Sequence, residues 1–89
     1  MKTIFKYPLD FTDYQTIEIP MNGVIVDIEY QEDDIFAWVM FNHDIINHKE
    51  QRSISICGTG HPVNPMTPDY IKSLHKDGFV WHFFEGYNV

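Results

Sequence analysis

Runs of β-branched and aromatic residues, each only four to eight residues long and closed by turn residues, constrain this chain more than any other feature. Lys2–Tyr7 (KTIFKY), Gln15–Ile19 (QTIEI), Val24–Gln31 (VIVDIEYQ), Ile35–Phe41 (IFAWVMF), Gln51–Cys57 (QRSISIC) and Phe79–Phe84 (FVWHFF) all have strand composition. Between them lie Pro8, the Pro20-Met21-Asn22-Gly23 turn, the polar Gln31–Asp34 connection and the Lys76-Asp77-Gly78 turn. Residues 69–75 (DYIKSLH) suit either a short helix capped by Thr67-Pro68-Asp69 or the first strand of a terminal hairpin, and the following Asp-Gly turn favours the hairpin. The expectation is an all-β fold of about seven short antiparallel strands, with at most one short helix, closed as a small sandwich or partly open barrel.

The pattern also predicts faces. Val24, Val26, Ile28 and Tyr30 alternate with Ile25, Asp27, Glu29 and Gln31, as in a strand with one buried face. Ile54 and Ile56 are expected to point inward. Residues 35–41 are apolar on both faces, which predicts a central strand covered on both sides or meeting another subunit. Eighty-nine residues make one domain, 1–89, with little interior to give up. Seven Phe, five Tyr and two Trp compensate, since each can bury about 150–250 Å².

Charge narrows the function classes. The net charge is −7, with no basic run, so direct binding to a nucleic-acid backbone is not expected. Mimicry of nucleic acid would need an acidic stripe, whereas the carboxylates here are scattered from Asp10 to Asp44. A single cysteine, Cys57, excludes an internal disulfide and suits a reducing compartment. The N-terminal MKTIFKYPLDF lacks the unbroken apolar core of a signal peptide, and no run reaches membrane-span length. These features predict a cytoplasmic protein without a membrane partner.

No catalytic or metal constellation stands out. The histidines lack metal-ligand spacing, and no cofactor motif is present, so the catalytic, metal and cofactor expectations are all none. Cys57 lies four residues from His61, but nothing else marks it as an activated nucleophile.

The one loop with binding chemistry is Gly58-Thr59-Gly60-His61-Pro62. Two glycines permit positive φ and close approach, Pro62 restricts His61, and successive N–H groups can cradle an anion. Gly58, Thr59, Gly60 and His61 are therefore the candidate phosphate contacts. Arg52 or Lys6 would add charge, and Trp81 or Tyr70 a stacking face. The competing account is that Lys2, Lys6 and Arg52 simply pair with neighbouring acids.

The chain also resembles a family of small phage-encoded proteins. The residues that carry the likeness are Lys2–Leu9, Thr12-Asp13-x-Gln15-x-Ile17, Pro20–Gly23, Trp38, Gly58–Pro62 and Val80-Trp81-His82-Phe83-Phe84-Glu85. The resemblance implies a phage accessory protein directed at host defences. By analogy with other small phage proteins, it implies a homo-oligomer that sequesters a small anionic nucleotide-like ligand, such as a cyclic ADP-ribose isomer or cyclic dinucleotide. The alternatives are an acidic inhibitor that binds a host defence protein, and a hydrolase of such a signal using His61.

Overall fold

A computed structural model of the chain describes residues 1–87. Seven strands run in order: β1 (Lys2–Leu9), β2 (Tyr14–Pro20), β3 (Val24–Gln31), β4 (Asp34–Asn42), β5 (Lys49–Gly58), β6 (Asp69–Lys76) and β7 (Phe79–Tyr87). A single 3₁₀ turn over His43–Ile45 is the only helical element among the described residues. The strands form two antiparallel sheets, β1-β4-β3 and β2-β5-β7-β6. The small all-β architecture expected from the alternation is present, and residues 69–76 are strand.

The core lies between the sheets. Ala37 and Val39 of β4 and Ile28 of β3 meet Ile19 of β2, Ile54 of β5 and Phe83 of β7, all without solvent exposure. Turn chemistry sets the hairpins: Asp77 (φ 55°) and Gly78 (φ 82°) supply the two left-handed residues of the β6–β7 turn. Pro8 lies within β1 rather than ending it. β1 is an edge strand, where a missing N–H is tolerated on the unpaired side.

Two bulges alter the faces read from simple alternation. In β3 the register shifts between Ile25 and Asp27, so Val26 is the extra residue. The shift puts Ile25 in the core and leaves Val24 and Val26 on the surface, at 52% and 46% exposure, contrary to the plain period-2 assignment. A second bulge in β6, at Ile71, carries Lys72 toward β3. Its ammonium bonds Asp27 Oδ1 and Glu29 Oε2, both at 2.8 Å, and so stitches the two sheets together at one edge.

That stitch titrates. The side-chain hydrogen bonds from Lys72 hold the carboxyls of Asp27 and Glu29 below their ordinary range, and those carboxylates raise Lys72. Stability from the lowered carboxyls is complete above the ordinary carboxylate range and lost as pH falls through their folded values. The Lys72 part is present below the ordinary lysine range and lost as pH rises through its folded value. All three groups are substantially solvated, so Lys72→Met is expected to cost under about 1 kcal/mol. Melting curves at low and high salt check this, because the difference should shrink in roughly 1 M salt.

The long connection from β5 to β6 crosses the outer face of the second sheet. Thr67 is fully buried there, and its hydroxyl hydrogen-bonds that of Ser55. Asn64 organises the loop: its carbonyl accepts from Thr67 N at 3.0 Å and its Oδ1 from Met66 N at 2.9 Å. On the same face, Tyr14 Oη and Ser53 Oγ share a hydrogen bond of 2.9 Å. β5 is therefore buried on both faces, the isoleucines by the core and the serines by loop and tyrosine.

Candidate functional site

β2 begins opposite Ser55, while β5 continues to Gly58, so the end of β5 projects beyond its neighbour. Ile56 N–H donates to Asp13 O at 3.1 Å. Strand alternation turns the Gly58 amide to the same side, where β2 has ended. Loop residues 61–65 arch over this projecting edge. Between them lies an open cleft of about 610 Å³, with Asp13 and Tyr14 on one wall and Gly58, His61 and Trp81 at its end.

The turn above the cleft is built as its glycines suggest. Gly60 has φ 89°, which a side chain would strain, and His61 N–H closes the turn on Gly58 O at 3.0 Å. The imidazole folds back against β5. A Cβ on Gly58 would sit 3.2 Å from His61 Nδ1 and 3.4 Å from Trp81 Cζ3, so the missing side chain lets both rings approach. A smaller depression of about 230 Å³ shares Gly58, His61 and Trp81 with the cleft and adds Thr59, Phe79 and Val80. Trp81 thus lines both hollows. Its Nε1 donates to Lys76 O at 3.3 Å, and Phe11 meets it edge-on at 5.1 Å.

Gly58, His61 and Trp81 are therefore brought together, with Thr59 and Gly60 in the turn above. The Thr59 hydroxyl, however, is engaged 2.7 Å from His82 Nε2. The amide cradle expected over 58–61 is smaller than the sequence suggests, because the His61 N–H is used within the turn. Arg52, Lys6 and Tyr70 do not line the cleft. Arg52 is 1% exposed and pairs with Glu85 at the opposite end of β5. Lys6 lies on the other sheet, hydrogen-bonded to Gln31 and 4.5 Å from the centre of the Phe36 ring. Tyr70 packs edge-on against Phe84, 5.3 Å between ring centres, on the outer face of β6–β7.

Asp13, Tyr14, Cys57 and the 62–65 segment also line the cleft but were not expected there. Their position depends on β2 pairing with β5, and pairing order leaves no mark in composition. Lys76 Nζ lies 5.5 Å from the centre of the Phe11 ring. Among the described residues no three His, Cys, Asp or Glu side chains cluster as a metal site requires. No helix among them is long and apolar enough to cross a membrane.

A family profile described as a domain of unknown function, DUF7352, matches residues 1–89. The chain belongs to that family. No curated protein and no solved structure matches this DUF7352 chain. For the DUF7352 domain, then, the cleft is the starting point for function. Its described lining offers one carboxylate, one imidazole, an indole, the polar side chains of Tyr14, Ser55, Cys57 and Asn64, and main-chain groups, with no lysine or arginine among them.

Proposed function

We propose that this protein is a non-enzymatic binding protein that captures a nucleotide-derived small molecule in the cleft beside Trp81. The observation that carries the proposal is the cleft itself. At about 610 Å³ it falls within the roughly 300–1,000 Å³ usual for small-ligand sites, and an indole lines it. A nucleobase has a π-face that Trp81 can stack against, worth about 1–3 kcal/mol per base. His61 and the Gly58 amide would serve the polar or phosphate part. Charge capture by Arg52 or Lys6 is no part of the scheme. The resemblance to small phage proteins supplies the setting: sequestration, in the host cytoplasm, of a signal that a defence system makes.

Titration calorimetry against cyclic ADP-ribose isomers and cyclic dinucleotides tests it. One ligand is expected to bind stoichiometrically without turnover. His61→Ala should weaken it about tenfold, the loss of one polar contact, with an unchanged melting temperature because His61 is exposed. In a Trp38→Phe background Trp81 is the remaining indole, and its fluorescence should change on binding. No heat from any compound in the panel would sink the proposal. Binding that leaves Trp81 unchanged would place the ligand elsewhere.

A second reading has its own support. Phe11 and Phe79 flank Trp81 at 43% and 64% exposure, a larger aromatic surface than a small ligand covers. An acidic inhibitor of a host enzyme could use it. One stoichiometric protein retained by wild type and lost with Phe79→Lys would favour that reading.

A further inference from the structure

The sheet β1-β4-β3 has an outer face that no other element among the described residues covers. Its side chains form three rows set by the strand register: Ile4–Met40–Val24, Lys6–Trp38–Asp27 and Pro8–Phe36–Glu29. The middle strand contributes Phe36, Trp38 and Met40, all only half-buried. Ile4 is 53% exposed, and Val24 and Val26 widen the apolar area. Such a patch on a small domain marks a surface that is covered in use.

The flanks identify the occupant. β1 presents Lys2 and Lys6 on this face, Lys6 hydrogen-bonded to the neutral Gln31. β3 presents Asp27 and Glu29, which share the single cation Lys72 and so keep a net negative charge. A face with an apolar centre, one cationic side and one anionic side complements itself when rotated about its long axis. We propose that it binds a second copy of this chain, face to face, around a two-fold axis running along β4. That operation lays β1 of each copy opposite β3 of the other, in the same row, so Lys6 meets the partner's Asp27 twice by symmetry. A two-fold axis across the strands would instead set Lys6 against Lys6. Closed pairing of one patch with its own copy is the commonest form of assembly.

Size sets the strength. Three strands about 4.8 Å apart and eight residues of about 3.3 Å give roughly 400 Å² in plan. This is below the roughly 800 Å² per partner of a standard interface, so the dimer is weak. It uses the sheet that does not carry the cleft, so it stands or falls independently of the ligand proposal.

Sedimentation equilibrium of the full chain from about 5 µM to 1 mM tests it, with circular dichroism confirming that each variant is folded. The mass should rise from 10.5 kDa toward twice that value. Trp38→Lys should weaken association about 30-fold or more, as for a central aromatic anchor. Val24→Lys, at an exposed position, serves if the first variant unfolds. Lys6→Glu and Asp27→Lys should each be monomeric alone, because each homodimer sets like charges together twice. Mixed, they should form a heterodimer, since both symmetry-related contacts then become opposite pairs. A chain that stays monomeric at 1 mM overturns the proposal. So does a dimer indifferent to Trp38→Lys and Val24→Lys, or a foreign protein that occupies the face while the chain alone stays monomeric. Failure of the mixed variants to associate overturns the axis.

Discussion

Arg52→Ala is expected to destabilise the fold by about 3–5 kcal/mol, the cost of breaking a buried ion pair from one side. The guanidinium is 1% exposed and holds three parts of the molecule together. Nη1 donates to Glu85 Oε1 of β7 at 3.0 Å, and Nη2 donates to Gly23 O at 2.9 Å, in the turn that carries the chain from one sheet to the other. Glu50 lies 3.6 Å from Nη2 and accepts from the Asn22 amide of that turn. The planar group also lies 4.3 Å from the centre of the Tyr87 ring. Removing it leaves a half-buried carboxylate and a buried carbonyl without their donor. In a domain of this size that loss is expected to lower Tm by about 15 °C or more.

The pH dependence distinguishes this from simple loss of packing. Burial pushes the Glu85 carboxyl above its ordinary range, while Arg52 pulls it down. Without Arg52 the folded value rises further above the unfolded one. Between those values the native state holds more protons, so stability falls as pH rises. The deficit of Arg52→Ala should therefore grow as pH rises above the ordinary carboxylate range. Arg52→Met combined with Glu85→Leu should recover much of the loss, because a buried pair replaced by apolar groups is often neutral. A single-variant cost below about 1 kcal/mol would show that Arg52 is not a structural tie.

Arg52 shares the parity of Ile54 and Ile56 along β5, a sign of an inward position that its expected role as a ligand contact passed over. What the sequence could not supply was the identity of its partners, which come from β7 and from the turn before β3. The same limit explains the cleft. Gly58 and Trp81 stand directly opposite each other across β5 and β7, a register that no local pattern encodes. Alternation located the strands and the Asp-Gly hairpin, since both depend on neighbouring residues alone. It misplaced Val24 and Val26 because a bulge adds one backbone residue without any compositional sign. Glu85 has a structural partner in Arg52. Within the Gly58–His61 turn, the glycines let rings and main chain come close.

Gly86→Ala should lift the β5–β6 loop from its sheet. Gly86 sits opposite Ser53 on β7, beneath the loop. A Cβ there would lie 2.0 Å from Met66 O and 3.0 Å from both Met66 C and Thr67 Cα. All three are backbone atoms, so no rotamer change relieves the clash, and the loop must move by about 1–1.5 Å to regain an ordinary contact. Movement of that size breaks the hydrogen bond between the Ser55 and Thr67 hydroxyls and opens the fully buried Thr67 to water. Overpacking of this kind costs about 1–3 kcal/mol, and the bulkier Gly86→Val should cost more. Tm should fall by about 5–20 °C for the alanine variant. Residues 61–65 of the same loop roof the cleft, so affinity for a cleft ligand should drop with it. Hydrogen exchange gives the most direct readout: the Thr67 amide, bonded to Asn64 O, should lose protection before the β4 and β5 amides do. Wild-type melting together with unchanged protection at Thr67 would mean that the loop does not press on β7 at this position.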